Sequence, residues 1–179
     1  MAILPIHEVP DPILKQVAEP VSQVDDRVRK LLDDMAETMF AAPGIGLAAP
    51  QVGVSERILV AAVPVRDGVS EELEEDEEMG SESFLTELIN PVIVEREGLI
   101  LFDEGCLSVP ELTIEVERSE RIVIEALDRN GAPMRVEASG FYAVVFQHEM
   151  DHLDGVTLYD RISKLKRTLY LKKRKKRRG

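Results

Sequence analysis

From residue 139 to residue 152 the chain reads SGFYAVVFQHEMDH, a stretch with the length and character of one helix. Ser139 can cap it, and its first turns are apolar, so the helix is expected to be partly buried. His148 and His152 are four residues apart, which places them about 40° apart on one helix face. Both imidazoles can therefore reach one metal ion, and Glu149 lies where its carboxylate can reach water on that ion.

The residues alone do not decide which side chain is the third metal ligand. Zinc peptidases find theirs downstream, but here Leu158 stands where one class has His, and Glu149 is the last Glu in the chain. Asp154 and Asp160 remain possible, although carboxylates near a helix end are commonly caps or surface groups. The better candidate is Cys106, because one Cys and two His form a three-ligand set that leaves a position for water. A lone Cys is, however, more often an inert core residue.

The histidine pair also has a simpler explanation, since a buried helix can carry His for packing alone. Two of the three His residues in the chain fall in this motif, which favours the metal site. If the site is real, Asp151 and Asp154 are expected to orient the two imidazole rings from outside the ligand shell.

Outside this helix, the sequence predicts further helices and a series of short strands. An amphipathic helix is expected over Asp25–Phe40, with Asp25 as its cap, and a third helix from about Ser163. Strands are predicted at residues 57–63, 84–89, 92–96, 99–102, 113–117, 121–127 and 134–138. The run Asp128–Gly131 contains Asn-Gly, a strong hairpin signal. This order predicts an α+β fold, with antiparallel β-sheets packed around the central helix that carries the HExxH motif.

Charge divides the chain unevenly. The formal net charge is −12, yet residues 164–179 contain ten Lys or Arg and no acid, which leaves 12 basic and 34 acidic residues before them. We interpret residues 1–163 as one catalytic domain, with an acidic surface loop at residues 67–83, followed by a basic helical tail at residues 164–179. Such a tail indicates contact with an anionic partner.

Several classes of protein are disfavoured by composition. No apolar run approaches the roughly 18–20 residues that span a membrane. The first residues lack the basic and apolar regions of a secretory signal. With one cysteine, no disulfide within the chain can form, and a cytoplasmic enzyme is the simplest interpretation.

Three segments together resemble the peptide deformylase family. They are GIGLAAPQ at residues 44–51, EGCLS at residues 104–108 and QHEMDH at residues 147–152, and they occur in the family's order. The strand and turn pattern between them is also similar, so the resemblance covers nearly the whole chain and is greatest to the bacterial type with a helical C-terminus. The acidic segment and the very basic tail depart from the family pattern. These departures bear on the binding partners of the protein and not on its catalytic chemistry.

The resemblance implies a hydrolase that removes the N-formyl group from the initiator methionine of nascent peptides and releases formate. It implies that Cys106, His148 and His152 hold a metal whose water has a lowered pKa. Glu149 then accepts a proton and later delivers it to the leaving amine.

The resemblance also implies residues that bind the substrate. The Gln51 side-chain amide and the Leu107 backbone N–H would stabilise the oxyanion. Gly46 would let the peptide backbone pair closely in the cleft.

A pocket for the methionine side chain is predicted on the metal-facing side of the HExxH helix. Phe141, Val144 and Val145 precede His148 by seven, four and three residues, and with Ile45 they can form an apolar pocket. The equally simple alternative for each is that it is a core residue.

The resemblance implies one divalent ion, with Fe²⁺ as the native metal and Ni²⁺ or Co²⁺ as replacements, whereas ligand softness suggests Zn²⁺. It further implies a ribosome or ribosomal RNA contact through the basic C-terminal helix, since phosphates attract such clusters regardless of sequence. We expect a cytoplasmic monomer without a membrane partner. Two other functions are considered: a metallopeptidase with Asp154 or Asp160 as third ligand, and an inactive RNA-binding module. The intact metal ligands, Glu149 and Gln51 argue against the second.

Overall fold

The structure is a computed structural model that describes residues 2–74, 77–78 and 82–179. The helices of the described part are α1 (Asp26–Ala41), α2 (Gly140–Leu153) and α3 (Lys164–Arg178). Its strands are β1 (Gly46–Ala48), β2 (Ile58–Ala62), β3 (Val65–Arg66), β4 (Val69–Ser70), β5 (Leu85–Glu97), β6 (Ile100–Cys106), β7 (Val109–Arg118), β8 (Arg121–Leu127) and β9 (Pro133–Ser139). No helix in these ranges is both long and apolar enough to cross a membrane.

The described strands form two sheets. The larger has the order β1-β2-β5-β8-β9-β4-β3, and its neighbours pair antiparallel except β4 and β9, which share one parallel pair. The smaller sheet is the antiparallel hairpin of β6 and β7. The prediction of an α+β fold with antiparallel sheets around a central helix is confirmed.

Strand β2 shows how the core is arranged. Its five residues, Ile58 to Ala62, are all apolar and buried. Because side chains alternate along a strand, Leu59 and Ala61 pack with α2 on one face, while Ile58 and Val60 pack with α1 on the other. The sheet is thus enclosed between two helices, and α2 is buried on nearly all sides.

The helix predictions are confirmed within a residue or two. The Asp25 side chain accepts a hydrogen bond from the Val28 N–H and so caps α1. Ser163 caps α3 in the same way through the Lys166 N–H. Ser139 does precede α2, but its side chain makes no capping hydrogen bond.

The strand predictions identify most elements but misplace some boundaries. The strands expected at 84–89 and 92–96 are one strand, β5, with an irregularity where Asn90 has a φ of 51°. The strands expected at 99–102 and 113–117 are longer in the structure. The first extends further toward the C-terminus and the second begins earlier, so that β6 ends at Cys106 and β7 begins at Val109.

Two segments outside the predicted helices and strands contain regular structure. The small-residue segment at 44–53 holds β1 and a 3₁₀ turn at Ala49–Val52. The acidic segment begins with a tight β3–β4 hairpin whose turn residues, Asp67 and Gly68, both have positive φ. Residues 75, 76 and 79–81 of the acidic segment lie outside the described part.

Candidate metal centre

Three side chains from two elements converge on one point. Cys106 stands at the end of β6, and His148 and His152 project from one face of α2. Their ligand atoms all lie within 4.8 Å of one another, and this is the cluster of metal-ligating type found among the described residues. The Cys106 Sγ is 3.4 Å from the His152 Nε2. A thiolate and two imidazoles at this spacing fit a divalent transition metal with a position left for a further ligand.

A carboxylate fixes the His148 ring. The Glu104 Oε1 is 2.8 Å from the His148 Nδ1, which leaves Nε2 for the metal. Glu104 also receives two hydrogen bonds of 2.9 Å from the Arg118 guanidinium, and both side chains are about 95% buried. Burial alone would raise the Glu104 pKa, but the hydrogen bonds from His148 and Arg118 lower it below the usual range. Glu104 therefore remains an anion that can hold the imidazole.

The prediction that Asp151 and Asp154 orient the imidazoles is wrong. Asp151 accepts hydrogen bonds from Arg118 and Arg161, at 2.6 and 2.7 Å, and Asp154 pairs with Arg57. The physical reason is competition, since arginines from other parts of the chain hold both carboxylates and Glu104 already occupies the His148 Nδ1.

Asp160 is also engaged elsewhere, where it accepts hydrogen bonds from Lys15 and from the Thr157 N–H. Neither Asp154 nor Asp160 joins the ligand cluster, so no feature of the described chain supports the metallopeptidase alternative.

Glu149 lies beside the cluster in a strongly desolvated position. Burial raises its pKa to about 7, and its Oε2 has no hydrogen-bond partner among the described residues. A carboxyl group with this pKa can both take up and release a proton near neutral pH. Burial likewise lowers the His152 pKa well below its ordinary value, which keeps that imidazole in the neutral form that binds metals.

The Gln51 side chain is held in one orientation. Its Oε1 accepts a hydrogen bond of 2.9 Å from the Ala48 N–H. Its Nε2 then points toward Ser108 Oγ, at 3.1 Å, and Cys106 Sγ, at 3.8 Å. Because the carbonyl oxygen is already used, the amide N–H groups of Gln51 face the ligand cluster.

An open cleft of about 420 Å³ leads to the cluster. All of the residues predicted to bind substrate line it, together with the predicted base and oxyanion groups. These residues are Ile45, Gly46, Gln51, Leu107, Phe141, Val144, Val145 and Glu149. The cleft is therefore continuous from the metal ligands to an apolar recess against α2.

Comparison with known proteins identifies the family. The family model described as polypeptide deformylase matches residues 3–168 of the chain. The chain belongs to the polypeptide deformylase family. It is a peptide deformylase, a metal-dependent enzyme that removes the N-formyl group from nascent peptides.

Individual deformylases are similar over almost their full length. The peptide deformylase of Thermodesulfovibrio yellowstonii is 47% identical, covering 97% of each chain. That of Alkalilimnicola ehrlichii is 51% identical over 93% of this chain and 86% of the relative. The solved peptide deformylase of Ehrlichia chaffeensis in complex with actinonin has a TM-score of 0.85 at 43% identity, covering 99% of this chain and 98% of that one.

Sequence reasoning missed three residues that build this deformylase site. Glu104 and Arg118 position His148, and Ser108 contacts Gln51. One signal was present: Glu104 is two residues before Cys106, so in an extended strand both side chains share a face. Arg118 carried no such signal, because it reaches Glu104 only through the pairing of β6 with β7.

Proposed function

We propose that Cys106, His148 and His152 hold the metal of this deformylase and that Glu149 is its general acid and base. The observation that carries this proposal is the convergence of three donor atoms beside a buried carboxylate whose pKa is about 7. When bound, the ion lowers the pKa of a water molecule and so supplies the nucleophile at neutral pH. Glu149 would accept a proton from the attacking water and return it to the leaving amine.

Oxyanion stabilisation is assigned to Gln51 and Leu107. The fixed orientation of the Gln51 amide supports this role, because the Ala48 N–H holds its Oε1 and directs its Nε2 toward the cluster. Leu107 follows the ligand Cys106 directly and lines the same cleft.

The peptide is proposed to bind as an added strand. Strand β1 is the edge of the large sheet, and β6 pairs only with β7 in the small one. Both therefore present unpaired backbone groups, and residues of both, Gly46 and Gly105 among them, line the cleft. An extended chain between them can form main-chain hydrogen bonds on either side.

The methionine side chain is assigned to the apolar recess. Phe141, Val144 and Val145 line it from α2, and Ile45 lines it from the segment before β1. Phe102 also lines the cleft, with its ring centroid 5.2 Å from that of Phe141. An unbranched thioether side chain suits such an apolar space.

Fe²⁺ is proposed as the native metal, on the strength of the family resemblance, with Zn²⁺, Ni²⁺ or Co²⁺ as alternatives that the same ligands accept. The decisive experiment is an anaerobic assay of formate release from a formyl-Met peptide by enzyme loaded with Fe²⁺ or Ni²⁺. Wild type should release formate, and Glu149→Ala should reduce kcat by about 10²–10⁴-fold because the proton acceptor is lost. If wild type releases formate neither with Fe²⁺ nor with Ni²⁺ bound, the proposed activity is refuted.

The basic helix α3 is proposed to contact ribosomal RNA. Its arginines Arg174, Arg177 and Arg178 pair with Glu8 and Glu111 on the body of the protein. This arrangement anchors the helix and leaves part of its positive charge free.

The lysines of the same helix are oriented differently. Lys172, Lys173, Lys175 and Lys176 are exposed, and no described carboxylate pairs with them. They are therefore available for phosphate groups, which attract such clusters electrostatically. We therefore also propose that the enzyme works in the cytoplasm, beside the ribosomes that make its substrate, and that it is a monomer.

Replacing these four lysines by Gln tests the RNA contact more cleanly than deletion of the tail, because the anchoring arginines remain. We expect weaker ribosome binding with a shallower salt dependence, measured by cosedimentation at several salt concentrations, and unchanged hydrolysis of a short formyl-Met peptide. Equal ribosome affinity of the variant and wild type would contradict the proposed contact.

A further inference from the structure

Asp103 lies on the substrate side of the protein without a compensating charge. It is exposed on β6, and it lines the cleft three residues before the ligand Cys106. Among the described residues, no Lys or Arg lines the cleft or forms an ion pair with Asp103. Glu104, the neighbouring carboxylate, is by contrast buried and paired with Arg118.

The opposite strand adds to this negative charge. Asp103 is in register with Glu115 of β7, and both side chains are exposed. Glu115 forms no ion pair with a described residue either. The electrostatic potential at this part of the cleft is therefore negative, because only solvent screens the two carboxylates.

The strand pairing proposed above, on which this inference rests, sets which substrate residue meets Asp103. Phe102, Glu104 and Cys106 face the interior, so Asp103 and Gly105 face the solvent. The methionine of an added strand enters the recess on the interior side, and the next residue points to the other face. Three residues of strand separate Asp103 from Cys106 and cover about 10 Å. A long cationic side chain on the second residue spans part of this distance, and the two charges attract across the remainder, which is within the screening length of about 8–10 Å.

We propose that Asp103 gives this deformylase a preference for substrates with a cationic second residue, Lys or Arg directly after the formylmethionine. The preference acts by attraction at the cleft rather than at the reacting bond. It therefore appears in KM and in kcat/KM, and leaves kcat nearly constant among substrates.

The test compares formyl-Met-Lys-Ser, formyl-Met-Gln-Ser and formyl-Met-Glu-Ser, each as the C-terminal amide. Wild type should hydrolyse the Lys peptide about threefold faster than the Gln peptide in kcat/KM, and the Glu peptide about threefold slower, as expected for exposed charge pairs. In Asp103→Asn the differences should largely vanish, and added salt of about 0.5 M should reduce them in wild type.

Glu117→Gln is the matched control. Glu117 is an exposed carboxylate on the same hairpin, opposite Leu101, but it does not line the cleft. This variant should retain the wild-type preference. Equal kcat/KM for the three peptides in wild type, an unchanged preference in Asp103→Asn, or an equal loss in Glu117→Gln would overturn the role of Asp103. Formate release from the Gln peptide reports separately on the deformylase activity, whose absence would overturn both proposals.

Discussion

At the scale of single residues, the proposed metal ligands are supported by charged side chains outside the ligand cluster. Glu104 holds the His148 ring, and Arg118 holds Glu104 while also bonding Asp151. One guanidinium therefore links the strand that bears Cys106 to the helix that bears both imidazoles. This arrangement keeps the donor atoms in place before metal binds.

Replacing Glu104 by Gln tests this dependence. The neutral amide is a weaker acceptor for the His148 N–H, and it leaves the buried Arg118 with one anionic partner in place of two. We expect the metal affinity, measured by competition with a chelator, to fall by about 10–100-fold. The exposed Glu117→Gln again serves as the control. An affinity equal to that of wild type would show that the carboxylate does not support the ligand.

The sequence predicted that Cys106, His148 and His152 lie together, but it did not predict this supporting network. His148 and His152 could be paired from helical periodicity, because their spacing is local. The partners Glu104 and Arg118 are 44 and 30 residues from His148, and only strand pairing and packing bring them together. Asp151 and Asp154 are close to the histidines in sequence, yet arginines that are distant in sequence engage both carboxylates.

At the scale of elements, β1 lies directly against α2 at Gly46. A Cβ added to Gly46 would lie 2.5 Å from the Glu149 Oε1, a distance that real side chains essentially never show. Glycine at this position therefore lets the strand edge, which is proposed to pair with the peptide, lie directly against the proposed base.

The variant Gly46→Ala should consequently displace the Glu149 carboxylate. We expect kcat/KM to fall by about 10²-fold, because a shift of about 1 Å in a reacting group has an effect of that order. Metal content and the midpoint of urea unfolding should be measured alongside, to separate displacement from misfolding. Activity within twofold of wild type, with metal bound, would argue against such close contact.

The elements also show where prediction from sequence stops. Helices α1 and α3 carried their caps in the sequence, and their starts were located to within about one residue. Strand β6 was predicted to end at Phe102, because Asp103 and Gly105 are poor strand formers. In the structure, pairing with β7 extends it to Cys106, so this proposed ligand lies on a strand and not in a loop.

At the scale of the whole molecule, a charged contact joins two residues that are 145 positions apart in the sequence. Asp160 accepts hydrogen bonds from Lys15, near the N-terminus, and from Thr157. Partial burial by itself raises the Asp160 pKa, but these hydrogen bonds outweigh it and lower the pKa below its ordinary value. The folded state therefore releases this proton more readily than the unfolded chain.

The sign of the linkage follows from the lowered pKa. The contribution of Asp160 to stability is fully present above its unfolded pKa of about 3.9, and it is lost as the pH falls through the folded value. We expect Asp160→Asn to lower the free energy of unfolding by about 1 kcal/mol at pH 7, allowing for partial solvent screening. The difference from wild type should shrink below about pH 4. A difference in urea unfolding that stays constant down to pH 3 would contradict this account.

The separation of the three proposed ligands along the chain couples metal binding to folding. Cys106 belongs to the hairpin, whereas His148 and His152 lie on a helix that packs against the large sheet. An unfolded chain holds no complete site, so the metal is expected to bind only once the hairpin and this helix have come together. A catalyst that acts on newly made proteins is thus expected to be inert until its own chain has folded.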